Sequence, residues 1–356
     1  MPKKSLCIKI PRVHGEKTIV LSNKLKLVNR ELGIQRDKES IYIPLIRQPS
    51  EEELKTLGEN VPDSDISTHS FPERKKRVVS FVDLLEDWLP PHLSASLPHA
   101  IDFVGDIAIV EIPPELDAHK TIIGEAVLKA QKNVRTVLAK AGAVGGTYRT
   151  REFEVIAGEP KTDTVHKEYG CLYYVDVAKA YFSPRLSYEH KRIASLVEEG
   201  ETVVDMFAGV GPFTILIARN HANVKVYAVD VNPHAVDFLK KNIRCNRVEG
   251  KVHPILGDAR RVVDEKLCGV ADRVIMNLPE KAMEFVDTAC RTLKLSGGVA
   301  HFYCFVSVAD SLEDMKLRFG EAVEKCGRKV EKILFSRPVR ETAPYRWQAV
   351  IDAIIH

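Results

Sequence analysis

The stretch Val203-Val204-Asp205-Met206-Phe207-Ala208-Gly209-Val210-Gly211-Pro212-Phe213 constrains this chain more than any other. Two β-branched residues lead into an acid, then into a turn with two glycines, then into proline and the apolar run 213–218. The pattern predicts a buried strand, a tight turn and a helix opening at Pro212, where a missing N–H is no loss. Glycine at 209 and 211 allows positive φ and a close backbone approach to a ligand. A second predicted strand ends in Asp230, about twenty residues past the glycines, the spacing at which a carboxylate meets a ribose diol. Asn232 before Pro233 already supplies the next helix cap, so the set predicts a nucleoside site.

From Ser183 onward strands and helices alternate. Ser183-Pro184 predicts the cap and first turn of a helix running to about residue 199, and strands are predicted at 202–207, 225–230, 252–256, 272–277, 298–304, 330–336 and 346–354. Helical stretches separate the first five; the last two follow each other with only a loop. Seven strands, mostly parallel with one reversed at the end in a closing antiparallel pair, predict an α/β, Rossmann-like class I methyltransferase sheet rather than a dehydrogenase.

Upstream, a strand at 5–10, a helix at about 14–27 and a strand at 41–45 predict a small α/β module. It closes with a helix capped by Ser50 and Glu53. Residues 58–77, with the cluster Glu73-Arg74-Lys75-Lys76-Arg77, read as a polar linker. A middle α+β module is then predicted. It has an amphipathic stretch at 81–89 stopped by Pro90-Pro91, a hairpin at 100–112 turning at Gly105-Asp106, a helix at 116–130 and strands at 149–156 and 171–177. The domains are therefore 1–70 with its linker, 71–178 and 179–356.

Composition bounds the partners. A net charge of +3 permits nucleic acid through local patches without demanding it. Seven scattered cysteines with no CxxC pair argue against a disulfide framework or a zinc site and for a reducing, cytoplasmic interior. No apolar run is long enough to span a membrane, and the N-terminus lacks a signal peptide's apolar core. No dimerisation stripe is evident, so a monomer is expected.

In an open α/β sheet, ligands bind beyond the carboxyl ends of the strands. Those ends carry the glycine turn, Asp230, Gly257-Asp258-Ala259 and Asn277-Leu278-Pro279. A carboxylate at 258 suits an adenine amine, although alone it is equally readable as a turn residue. No arginine or lysine stands beside the glycines to hold a pyrophosphate. Asp205 suits an ammonium better than a phosphate. Both features favour S-adenosylmethionine over a dinucleotide.

Over nearly its full length the sequence resembles the archaeal–eukaryotic tRNA (guanine-37-N1)-methyltransferases. The residues that carry the resemblance are Arg149-Thr-Arg151, Gly158-Glu159, His166-Lys167-Glu168, the run from Val175 to Leu186, the glycine turn, Asp230-Val-Asn-Pro-His234 and Met276-Asn-Leu-Pro279. The resemblance implies methylation of N1 of guanosine 37 in the tRNA anticodon loop, with S-adenosylmethionine as donor. It also implies that residues 1 to about 60 contact the outer corner of the tRNA.

Removing the proton of guanine N1 requires a base, and the charge that develops on O6 requires donors. By resemblance Glu189 is the base, Arg149 the O6 partner, and Tyr181 and Asn277 flank the target base. From the residues alone, Glu189 reads as an i, i+4 partner of Arg185 and Arg149 as an exposed strand charge, with core packing the rival reading for Tyr181. The implied cofactor contacts are His190, Asp205, Phe207, Gly209, Gly211, Asp230, Val231, Asp258, Ala259 and Asn277. The implied substrate contacts are Arg149, Arg151, Tyr181, Arg185, Asn277 and Pro279.

Amino-group methyltransferases carry Asn-Pro-Pro-Tyr where this chain has Asn277-Leu-Pro-Glu280, which favours ring-nitrogen chemistry. Two alternatives share the fold: a wyosine-pathway enzyme acting on a modified guanosine 37, and a non-catalytic RNA-binding protein.

Overall fold

The computed structural model describes residues 2–62, 64–72, 80–85, 88–98, 100–142 and 145–356. The chain divides into two compact units, Met1–Val79 and Ser80–His356.

The first unit holds β1 (Lys3–Pro11), α1 (Gly15–Lys24), β2 (Gln35–Arg36), β3 (Ser40–Pro44), α2 (Glu51–Asn60) and β4 (Asp65–Phe71). Its sheet runs β2-β3-β1-β4 over a core of Ile8, Ile10, Leu27, Ile43 and Leu57. The predicted capping box opens α2: Ser50 Oγ accepts from the Glu53 N–H, and the Glu53 carboxylate accepts from the Ser50 N–H. The linker reading of 58–77 is overturned at 65–71, which pairs antiparallel with β1 along its whole length. As an edge strand, β4 keeps one face wet, so its sequence Asp-Ile-Ser-Thr-His-Ser-Phe shows little apolar signal. The basic cluster at 73–77 lies outside the described residues.

The second unit begins with a turn-rich segment, where residues 81–85 form turns rather than a helix. The proline pair starts α3 (Pro91–Ser94) instead of only stopping what precedes it. Then come β5 (Ile101–Val104), β6 (Ile107–Val110), α4 (Lys120–Ala130), β7 (Thr136–Lys140) and β8 (Phe153–Gly158), forming a sheet ordered β5-β6-β7-β8. The predicted hairpin turn is present, with Gly105 at φ +56°. The sequence did not single out β7, nor β9 (Asp163–Glu168), the partner of β10 (Cys171–Asp176).

The seven predicted strands form one sheet: β11 (Thr202–Asp205), β12 (Lys225–Asp230), β13 (Val252–Leu256), β14 (Arg273–Met276), β15 (Gly298–Ser307), β16 (Val330–Ala343) and β17 (Arg346–Ile355). Their order is β13-β12-β11-β14-β15-β17-β16, and β17 is the reversed strand, lying between β15 and β16. The chain moves outward from β11 through β13 and then crosses to β14, so the switch point lies between β11 and β14. The helices are α5 (Ser187–Leu196), α6 (Pro212–Asn220), α7 (Pro233–Cys245), α8 (Ala259–Val262), α9 (Val286–Thr292) and α10 (Leu312–Lys325).

Two buried asparagines, Asn242 in α7 and Asn246 at its C-cap, fasten β10 to this sheet layer. Asn246 and Asn242 exchange hydrogen bonds with the backbones of Leu172 and Tyr174, and Asn242 Nδ2 also donates to the Val210 carbonyl in the glycine turn. Among the described residues, no helix is long and apolar enough to cross a membrane.

Candidate active site

The glycine turn bends as its residues dictate. Gly209 and Gly211 sit at φ +55° and +93°, and α6 starts at Pro212. The two glycines serve different ends. A Cβ on Gly211 would meet Leu239 at 2.5 Å, so this position is small for packing. A Cβ on Gly209 would meet only the Tyr181 carbonyl, at 3.6 Å, and would otherwise fill the adjoining cavity.

That cavity, of about 240 Å³, opens at the carboxyl ends of β11, β12 and β14. Asp230 lines it. Its Oδ2 accepts from the Gly209 N–H at 2.7 Å and its Oδ1 from the Asn232 N–H at 2.8 Å, while burial pushes its carboxyl above the usual range. Phe207 and Phe285 meet edge to face at 5.0 Å on the same wall. Asp258 also lines the cavity, and its side chain caps α8 by accepting from the Arg260 and Arg261 N–H groups. The turn reading is thus realised in its contacts.

Asp205 is fully buried behind the turn and does not line the cavity. Its Oδ1 accepts from the Phe207 N–H, whereas its Oδ2 is buried without a partner. Burial first, and then the charge of Asp230, push its carboxyl up to about 7.

Arg149, Tyr181, His190 and Asn277 also line the cavity. Arg149 sits in a turn at φ +53° with its side chain only 16% exposed, so it is not an exposed strand charge. Its guanidinium lies 4.8 Å from the Tyr181 ring centroid and 3.5 Å from Glu280, and its Nε is buried without a partner. Tyr181 is more than core packing, because its hydroxyl accepts from Arg340 at 3.0 Å. The His190 ring bonds through Nδ1 to Glu168 at 2.8 Å and packs on the edge of Phe213.

Glu189 is buried one residue before His190 and does not itself line the cavity. Its Oε2 accepts from Arg192 at 2.8 and 3.0 Å and from the Tyr303 hydroxyl at 2.9 Å; its Oε1 accepts from Arg337 at 2.9 Å. Burial alone would raise its pKa. The two arginines and the tyrosine outweigh burial and hold the carboxyl below its ordinary range. The expected i, i+4 partner is corrected: Arg185 bonds Asp102, and Glu189 pairs with Arg192 at i+3. Ser183 is likewise corrected as a cap, since its hydroxyl makes no cap hydrogen bond and accepts from Arg340 instead.

The cavity therefore brings together Arg149, Tyr181, His190, Phe207, Gly209, Asp230, Val231, Asp258, Ala259 and Asn277. Glu189, Asp205, Gly211, Arg151, Arg185 and Pro279 are not among its lining residues, and Pro279 lines a second cavity of about 280 Å³ that shares Glu280 with the first. Sequence reasoning missed Glu168, Tyr303, Arg337, Arg340 and Gln348. The first of these stands inside the quoted His166-Lys167-Glu168 string, but Tyr303, Arg337 and Arg340 lie more than a hundred residues from the site groups they hold, and Gln348 lies 71 residues from Asn277.

S-adenosylmethionine fits the first wall. The notch at Gly209 leaves room for a nucleoside, Asp230 offers a carboxylate at its rim, and the two phenylalanines offer an apolar face.

A sheet ordered with its last strand inserted in reverse, a glycine turn at its switch point and an acid ending the second strand define a class I methyltransferase. The TRM5/TYW2 methyltransferase domain matches residues 164–336, the TYW2 N-terminal domain residues 81–162 and the tRNA methyltransferase 5 N-terminal domain residues 7–53. The chain belongs to the TRM5/TYW2 methyltransferase family, whose members depend on S-adenosylmethionine.

It is 38% identical over 348 residues to the tRNA (guanine(37)-N(1))-methyltransferase Trm5b of Pyrococcus abyssi, covering 98% of both chains. A solved complex of aTrm5 with tRNALeu superposes with a TM-score of 0.71 at 34% identity, covering 99% of this chain and all of that one. The tRNA(Phe) (4-demethylwyosine(37)-C(7)) aminocarboxypropyltransferase of Methanocaldococcus jannaschii is 36% identical, covering 70% of this chain and 95% of its own length.

Proposed function

We infer that this chain transfers a methyl group from S-adenosylmethionine to N1 of guanosine 37 in tRNA. One observation carries the reading: a single cavity is lined both by the nucleoside-type pair Gly209 and Asp230 and by the donors Arg149, Tyr181 and Asn277. The N-terminal unit favours N1 methylation over wyosine chemistry, because the aminocarboxypropyltransferase relative spans only 70% of this chain.

When bound, S-adenosylmethionine supplies an electrophilic methyl group. Gly209, Asp230, Phe207, Val231, Asp258 and Ala259 hold it, with His190 toward its carboxylate. Asp205 and Gly211 act from behind the turn. Arg149 donates to the base oxygen where charge grows once the ring proton leaves. Tyr181 and Asn277 position the base, while Arg151, Arg185 and Pro279 serve the surrounding nucleotides.

Glu189 is the base. It lies behind the cavity lining and its oxygens already accept four hydrogen bonds, so it meets the ring proton only when one donor yields and uncovers it. Arg337, with a side chain 38% exposed, is freer to do so than Arg192 at 11%.

The base must leave its stack in the anticodon loop, at a cost of about a few kcal/mol that phosphate contacts offset. Residues 1–70 grip the outer corner of the tRNA, 71–178 form a middle RNA-contacting module and 179–356 carry the chemistry. The enzyme acts as a monomer in the cytoplasm. Nucleoside mass spectrometry of a transcript tRNA incubated with enzyme and cofactor tests this reading. One added methyl at N1 of residue 37 is expected; an aminocarboxypropyl mass would replace the reading with the wyosine alternative.

A further inference from the structure

One guanidinium on β16 reaches three groups from two separate segments of the second unit. Arg340 donates from Nη2 to the Tyr181 hydroxyl at 3.0 Å, from Nη1 to Ser183 Oγ at 2.9 Å and from Nε to Gln348 Oε1 at 2.9 Å. Gln348, only 1% exposed, passes the bond on: its Nε2 donates to Asn277 Oδ1 at 3.1 Å.

The direction of this relay is not free. A guanidinium has donors only, so the oxygen of Gln348 must face Arg340 and its amino group must face Asn277. The oxygen of Asn277 is then committed, and its Nδ2, which donates to no group among the described residues, is left for the cavity that Asn277 lines. The Tyr181 hydroxyl, accepting from Arg340, retains its own proton to donate. Arg149 adds a guanidinium over the Tyr181 ring, with Nε unpartnered.

We propose that Arg340 and Gln348 are positioning residues that fix the hydrogen-bond polarity of the base-facing wall, so that Asn277, Tyr181 and Arg149 all present donors. A wall of donors takes a purine edge that carries a ring oxo group and rejects one that carries an amino group there. It also lowers the energy of the base after loss of its ring proton, because the charge spreads onto the oxygen those donors face. The proposal rests on the N1-methylation reading and deepens it by assigning what selects the base.

Gln348→Glu tests it. The side chain keeps its shape and its bond from Arg340, but a carboxylate cannot donate to Asn277. The Asn277 amide must turn over and show its oxygen to the cavity.

Single-turnover methyl transfer to a guanosine-37 transcript should fall about 10- to 100-fold at neutral pH. Affinity for S-adenosylmethionine, measured by calorimetry, should change less than about twofold. The deficit should shrink as pH rises toward about 9, since deprotonation of the base in solution replaces what the donors did. Combining Gln348→Glu with Asn277→Asp should be strongly non-additive.

A rate like that of the wild type, or a deficit that stays constant with pH, overturns the proposal. If Gln348→Glu loses its thermal transition, Arg340→Lys, which cannot reach all three acceptors, is read the same way. Absence of methylated guanosine 37 with the wild-type enzyme would instead defeat the underlying functional reading.

Discussion

Arg337 covers one oxygen of Glu189: its Nη2 donates to Oε1 at 2.9 Å from a strand that lies 148 residues further along the chain. Its guanidinium also sits 4.6 Å from the centroid of the exposed Tyr188 ring. A carboxylate so held is ionised at neutral pH but is a weak base, and a departing Arg337 makes it a stronger one. Arg337→Met should therefore move the pKa of Glu189 up toward its ordinary value. The acidic limb of the single-turnover pH–rate profile should shift to higher pH by about one unit, the usual effect of one neighbouring opposite charge. An unmoved limb would separate Arg337 from the base.

Glu189→Gln should reduce methyl transfer by roughly 10²–10⁴-fold, the range for a general base. It also leaves Arg192 and Arg337 facing an amide, and breaking such a buried pair destabilises by about 3–5 kcal/mol. Rates must therefore be read at a temperature well below the variant's thermal midpoint. The sign for the native side chain follows from its lowered pKa. Glu189 contributes stability that is present above the ordinary glutamate value of 4.5 and is lost as pH falls through the lower folded value. Chemical denaturation at several pH values below 5 should show the wild type losing stability that Glu189→Gln does not lose.

Asp230→Ala removes the acceptor of the Gly209 and Asn232 N–H groups and opens the nucleoside wall. Hydrogen bonds to a charged group are each worth about 1.5–3 kcal/mol, so S-adenosylmethionine affinity should drop at least about tenfold by calorimetry. Retained affinity would place the cofactor elsewhere.

Asp205 has the opposite sign from Glu189. Its folded pKa is raised from 3.8 to about 7, so the folded chain holds this proton more tightly than the unfolded chain. Stability from this group is greatest below 3.8 and declines as pH rises to about 7. Asp205→Asn should raise the melting temperature at pH 8, by about 2–4 °C for each kcal/mol gained, and should do little near pH 4. The same variant tests the cofactor role: an unchanged affinity for S-adenosylmethionine removes Asp205 from that set.

The catalytic sheet was legible because parallel strands buried on both faces read as short apolar runs, and all seven appeared in the sequence. The nucleoside wall was legible for a related reason: Gly209 and Asp230 lie next to the strand ends that place them. Polar edges were not legible. β4, with Thr68 and Ser70 exposed and only Phe71 fully buried, looks like a linker until β1 is beside it. Nor were the partners of the site groups. Glu189 suggested a neighbour on its own helix, yet two of its four bonds come from Tyr303 and Arg337, which only the sheet order brings near. Glycine spacing exposes local geometry; a guanidinium that arrives from a distant strand leaves no local trace.

The inboard seat of β17 sets an order of events during synthesis. Until residues 346–355 have left the ribosome, β15 has a bare edge and β16 has no neighbour to align it. Asn277 then lacks Gln348, and Arg192 lacks Asp352. A nascent chain paused just short of this strand would already own its glycine turn and Asp230, yet its base-facing wall would be unset. Cofactor capture should therefore ripen before the ability to act on RNA.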